Sequence, residues 1–230
     1  MVARFRDRVA AGEELASRIQ ESRGLVDPII IALPRGGVPV AQEVAQRLGA
    51  PLDVLVVRKI GAPEQPELAC GAATSDGSIV WNESILFSLG VTQHELRRER
   101  EKALREVGHL EEALRSPQAP ALSVFAKTAV VVDDGLATGA TMKAAVKALL
   151  RQKPHKIVVA VPVAPDDTCR EIEDMGYEVI CPRRVPKGEL SSVGEWYEDF
   201  SQVESSTCRL ILASNRSVAH HPSGGEQHVH

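Results

Sequence analysis

Short apolar runs alternating with helix-periodic segments constrain this chain more than any other feature. Ile29 to Leu33 is a continuous apolar run, the pattern of a strand buried on both faces. After a glycine turn, Val40, Val44 and Leu48 recur on one helical face, and Gly49 supplies the stop. "PLDVLVVRKI" reads as a second strand, so the stretch forms a βαβ unit with parallel strands and a right-handed crossover. The rhythm resumes at Thr128 to Val132, followed by a helix over 139–152 with Met142, Val146, Leu149 and Leu150 facing inward. "KIVVAVPVA" is a strand, "DDTCREIEDMG" a helix and "YEVICP" a strand. The pattern predicts an α/β fold: a doubly wound, mostly parallel five-stranded sheet with flanking helices. Ligands of such sheets sit in the crevice beyond the carboxyl ends of the strands.

Composition sets the remaining bounds. With 43% hydrophobic content, 230 residues bury one substantial core. The net charge of −4 and a pI near 6.0 give no global basic field, which argues against a nucleic-acid partner. Cys70, Cys169, Cys181 and Cys208 form no C-x-x-C pair; this fits a reducing compartment and excludes a zinc knuckle or disulfide framework. The opening "MVARFRDRVAAGEELASRIQ" places Phe5, Val9, Leu15 and Ile19 at helical spacing among charges. It is an amphipathic helix without the apolar core of a secretory signal. No apolar run is long enough to span a bilayer, so a soluble, cytoplasmic protein with no membrane partner is expected.

Residues 61–115 interrupt the alternation. They open on a Pro- and Gly-rich loop, continue through "SDGS" as a hairpin turn between short strands, and end in a long charged helix. Thr92 and Glu95 are spaced as its capping box. Leu96, Ala103, Val107, Leu110 and Leu114 form a narrow seam on that helix, suited to lying on the core or to contacting a second copy in a homodimer. "SPQAPALS" is a linker. One domain is expected over 1–213, with a lid, hairpin and helix insertion at 61–115 and a small C-terminal hood at 183–213. The polar, His-containing residues 214–230 read as a disordered tail.

The chemistry concentrates in "VVVDDGLATGATM", residues 130–142. Asp133 and Asp134 fall at the carboxyl end of a strand, and a Gly/Thr turn then enters a helix N-terminus. Unpaired N–H groups and the helix dipole there suit a phosphate, with Thr138 and Thr141 as added donors and Gly135 and Gly139 free to take positive φ. Carboxylates are acceptors, suited to vicinal hydroxyls or to a hydrated cation. Hydroxyls beside a phosphate describe a ribose 5-phosphate. A Walker A loop is excluded because no Lys-Thr pair follows the glycines, and no G-x-G-x-x-G occurs there.

This stretch resembles the phosphoribosyl pyrophosphate (PRPP) motif of type I phosphoribosyltransferases, and the resemblance extends over roughly residues 29–200. It implies that Asp133 and Asp134 contact the ribose hydroxyls and reach Mg²⁺ through water, while Ala137, Thr138, Gly139, Ala140 and Thr141 cradle the 5-phosphate. "LPRGGVPV", residues 33–40, resembles the family's pyrophosphate loop: Gly36 and Gly37 present backbone N–H groups and Arg35 a forked cation. In the family this loop often carries a non-proline cis peptide. The resemblance makes one or both of Arg58 and Lys59, which close the second strand, pyrophosphate ligands. "SSVGEWYEDF" resembles a C-terminal hood, with Trp196 or Tyr197 stacking on a planar base.

The implied activity is Mg²⁺-dependent transfer of a 5-phosphoribosyl group from PRPP to a nitrogenous, planar acceptor. Two departures stand out. No Lys or Arg occurs between Lys59 and Arg97, although many family members carry a basic residue on the lid that 61–78 would form. Ala137 replaces the aspartate that serves the base in 6-oxopurine enzymes. The acceptor therefore stays open. A regulatory module that binds PRPP without transfer is the alternative, and a hydrolase or phosphorylase using the same pocket is a third reading.

Overall fold

Strands that are apolar at every position need cover on both faces, and the chain supplies it. The computed structural model describes residues 4–22, 24–65, 68–115 and 120–218. In chain order, α1 (Arg8–Glu21) leads to β1 (Ile29–Ala32), α2 (Gly37–Leu48) and β2 (Leu52–Val54). Next come β3 (Val57–Gly61), β4 (Ala69–Thr74), β5 (Ile79–Trp81), α3 (Glu83–Leu89) and α4 (Arg97–Leu114). The third group is β6 (Thr128–Val132), α5 (Ala140–Leu150), β7 (Lys156–Ala160), β8 (Val163–Pro165) and α6 (Asp166–Asp174). It is followed by β9 (Glu178–Ile180), β10 (Arg183–Val185) and α7 (Ser205–Val218).

The central sheet is five-stranded and parallel throughout, in the order β2-β1-β6-β7-β9. Side chains alternate across it. Ile30, Ala32, Val130 and Val132 join Leu15, Ile19, Val40 and Val44 in one core. Ile29, Ile31, Ala129 and Val131 join Met142, Val146, Leu149 and Ile172 in the other. Gly49 ends α2 at φ 60° in the left-handed region, as its position in the sequence predicts.

Several expectations are corrected in detail. The second apolar run is two strands: Leu55 still bonds to Ala32 of the central sheet, whereas Val56 already pairs with Ser75. β3 then joins β4 and β5 in a separate antiparallel sheet. Residues 52–57 are buried throughout, so periodicity carries no mark of the switch. "KIVVAVPVA" likewise splits, and β8 pairs with β10. Leu150 is exposed, and Ala145 and Ala148 fill the inward positions instead. Phe5 lies ahead of α1, which begins after the Asp7 cap, and bridges to Tyr197; Val9 is exposed.

The Thr92–Glu95 capping box forms, with each partner accepting the other's backbone N–H, one turn before α4 begins. Leu96, Ala103, Val107 and Leu114 are buried within the chain, where α4 lies on β3, β4 and α7. The seam is spent on the chain's own core. Residues 214–218, assigned by composition to the tail, continue α7. The rest of that tail lies outside the described residues, as do Pro66, Glu67 and residues 116–119.

Candidate functional site

Because β1 and β6 are neighbours, the loops leaving their carboxyl ends meet. Ala32 is in register with Val132, and the Leu33 N–H donates to the Val132 carbonyl at 2.8 Å. The β1 loop contains a cis peptide between Pro34 and Arg35, the feature that the resemblance implies. A Cβ on Gly36 would lie 2.0 Å from Asp134 Oδ2, and one on Gly37 2.7 Å from the Val132 carbonyl. These glycines are thus required by the crossing of the two loops, before any ligand is considered.

Asp133 and Asp134 are half-buried at that crossing. Asp133 Oδ1 accepts the Asp134 N–H at 2.9 Å. Burial, with the charge of Asp134 next, pushes the Asp133 carboxyl well above the usual carboxylate range. Asp134 is engaged on two sides. Its Oδ2 accepts from Arg8 Nε at 2.9 Å, with the side chains 11% and 14% exposed for Arg8 and Asp134. Its carbonyl accepts the Tyr197 hydroxyl at 2.6 Å.

Beyond the acids, Ala137, Thr138, Ala140 and Thr141 are exposed around the start of α5. Gly139 caps that helix at φ 67°, and a Cβ there would meet Thr168 Cγ2 at 2.9 Å. Thr168 also donates to the Ala137 carbonyl at 3.0 Å, pinning the loop from α6. The turn can therefore present N–H groups and hydroxyls to an anion from a fixed base. Gly135 does not take positive φ, contrary to expectation; it is glycine because Val193 Cγ1 would lie 2.6 Å from its Cβ.

The cations come from two sheets. Arg35 is half-buried, and its carbonyl accepts from Val38 N–H at 3.1 Å and from the Cys208 thiol at 3.7 Å. Burial pushes that thiol up to about 11. Arg58 and Lys59 sit on β3, and not at the end of a central strand as the sequence suggested. Burial draws the Arg58 guanidinium below its ordinary value; Glu106 opposes this, and nearby Arg35 adds to it. Arg58, Lys59 and Ala62 line a groove of about 630 Å³ whose far wall is α4, with Arg98, Lys102, Arg105 and Glu106.

The hood corrects one assignment. Tyr197 is 3% exposed, packed between Phe5 and Phe200 at ring distances of 5.4 and 5.0 Å. An enclosed ring has no free face for a base. Trp196 is half-buried against the same cluster. Arg8, Thr168 and Cys208 escaped the sequence reading. Arg8 is one of several arginines in a charged opening, and nothing in its local pattern distinguishes it. Among the described residues no group of three or more His, Cys, Asp or Glu is placed to hold a metal ion, and no helix is long and apolar enough to cross a membrane.

A family model for a phosphoribosyl transferase domain matches residues 2–194. Two proteins from different strains of Mycobacterium tuberculosis, provisionally named phosphoribosyl transferases, are each 40% identical over 198 residues, covering 86% of this chain and 44% of theirs. The chain thus spans less than half the length of these relatives. The crystal structure of TT1426 from Thermus thermophilus superposes with a TM-score of 0.80 at 37% identity, covering 92% of this chain and 98% of that one. By sequence and by fold, the chain belongs to the phosphoribosyl transferase domain family.

Proposed function

We propose that the chain transfers a 5-phosphoribosyl group from PRPP to a nitrogenous, planar acceptor and releases pyrophosphate. The observation that carries this reading is the meeting of two loops. The acidic pair and the exposed first turn of α5 lie on one side, and the Arg35 loop lies against Asp134 on the other. A ribose placed there has acceptors for its hydroxyls at Asp133 and Asp134 and donors for its 5-phosphate at 137–141. Its anomeric carbon then faces toward Arg35. Displacement at that carbon builds negative charge on the leaving pyrophosphate, which Arg35, Gly36, Gly37, Arg58 and Lys59 would offset. With Tyr197 enclosed, Trp196 remains the candidate platform for a base.

The donor set fits a magnesium ion that arrives with the substrate. Magnesium retains several waters and is held by one or two carboxylates plus substrate phosphates. Asp133 suits such a water-mediated contact, while Asp134 Oδ2 already accepts from Arg8. When bound, the ion would neutralise charge on the departing pyrophosphate.

Incubation with PRPP, magnesium and a panel of bases, reading pyrophosphate release, tests the transfer. Calorimetry tests the site: the double substitution Asp133→Asn, Asp134→Asn should weaken PRPP binding by several kcal/mol, at about 1.5–3 kcal/mol per charged hydrogen bond. Equal affinity for the two proteins would remove the ribose assignment. PRPP binding without transfer is the second reading, favoured by the absence of Lys and Arg between Lys59 and Arg97. Saturable PRPP binding with no pyrophosphate release from any base would support it.

A further inference from the structure

The two carboxylates of the acidic pair have unequal surroundings. Asp134 is gripped by Arg8, whose guanidinium also donates to the Ser201 carbonyl at 2.8 Å and lies 3.9 Å from the centre of the Phe200 ring. Asp134 Oδ2 occupies the space left by the missing Cβ of Gly36. One carboxylate therefore joins four segments: the start of α1, the Arg35 loop, the end of β6 and the hood. The N-terminal segment is itself locked to the hood, through Phe5 N–H to the Trp196 carbonyl and Glu198 N–H to the Phe5 carbonyl, both at 2.8 Å. Among the described residues Asp133 has no ion-pair partner in contact; its Oδ1 accepts the neighbouring Asp134 N–H, and Arg8 acts on it only through its more distant charge.

From this asymmetry we infer that the acidic pair divides its work, with Asp133 as the principal ligand-facing carboxylate and Asp134 as a positioning residue held by Arg8. The inference rests on the PRPP reading and refines it. The Arg8 guanidinium offsets the charge of Asp134 and so lessens the repulsion between the two adjacent carboxyl groups. It also fixes the backbone of residues 133–134 against the Arg35 loop, setting the spacing between the ribose and pyrophosphate ends of the site. Arg8 is a positioning residue: its effect on the ligand passes through Asp134.

Ribose 5-phosphate and PRPP–magnesium affinities of the purified chain test this by calorimetry, with circular dichroism as the check on folding. Arg8→Met should lower affinity for both ligands roughly tenfold, the scale of one charged hydrogen bond. Arg8→Lys, which keeps the charge, should recover much of that loss. Adding Arg8→Met to Asp134→Asn should cost little more than Asp134→Asn alone, because both break one interaction. Asp133→Asn should reduce affinity more than either. Additive effects of Arg8→Met and Asp134→Asn, or folded Arg8→Met with unchanged affinity, would overturn the inference and leave the PRPP reading standing. If Arg8→Met fails to fold, Arg8→Lys decides against Asp134→Asn: a loss as large as that of Asp134→Asn, without rescue, overturns it. Failure of the unmodified chain to bind either ligand overturns the parent reading and this one together.

Discussion

At the scale of single residues, adjacent glycines in the β1 loop answer to different neighbours. A Cβ at position 37 would press on backbone, 2.7 Å from the Val132 carbonyl and 2.9 Å from Asp133 Cα. At position 36 it would press on the Asp134 carboxylate, which can swing aside once released from Arg8. Gly37→Ala should therefore destabilise the fold by about 1–3 kcal/mol through overpacking, even though alanine is the better helix former at the start of α2. Gly36→Ala should cost less stability but more affinity for ribose 5-phosphate, because it displaces Asp134. Urea denaturation and calorimetry on both variants separate the two effects. The reverse ranking would mean that the loops do not cross as closely as described.

At the scale of elements, what the sequence revealed depended on how each residue was buried. Runs such as Ile29–Leu33 and Ala129–Val132 were legible because every residue in them is apolar. The same uniformity hid the departure of β3 from the central sheet, since an unbroken apolar run has no period to lose. The acidic pair and the Gly/Thr turn were legible because their residue types are costly in an ordinary strand end. Arg8 was not, because it reaches Asp134 from a segment far away in sequence, and Tyr197 was legible as a hood aromatic but not as the donor to the Asp134 carbonyl.

Asp53 is the clearest missed contact between elements. It is 3% exposed within the β2 run. It pairs with Arg115 at 2.7 Å, just past α4, and accepts the Leu122 N–H at 2.6 Å. Thus it ties the residue before the linker and Leu122 within it to the central sheet. Asp53→Ala would leave Arg115 with Glu111 as its remaining ion partner, at 2.6 Å, and the Leu122 N–H without its acceptor, and a loss of about 1–3 kcal/mol is expected in urea denaturation. A loss within about 1 kcal/mol would class the pair with solvated surface bridges.

At the scale of the whole molecule, the proposed function brings a polyanion to a chain of net charge −4. The sequence suggested a mobile lid over 61–78, but β4 and its turn into β5 make 69–78 part of a hairpin. Gly71 is required by this hairpin: a Cβ there would lie 2.8 Å from the Val80 carbonyl. Of the expected lid, residues 62–65 and 68 are described outside the strands and their turn, and Glu64 there is exposed. The positive field must then come from below and from the side. Arg35, Arg58 and Lys59 would provide the first, and the α4 wall, where Arg98, Lys102 and Arg105 line one groove with Arg58 and Lys59, the second. Arg58→Ala with Lys59→Ala should accordingly reduce turnover far more than Glu64→Ala. Hydrogen exchange should show the hairpin protected in the free chain, with new protection on adding PRPP and magnesium confined to the connection between β3 and β4. PRPP binding with no added protection there would describe a site that stays open to water, and would move the balance toward binding without transfer.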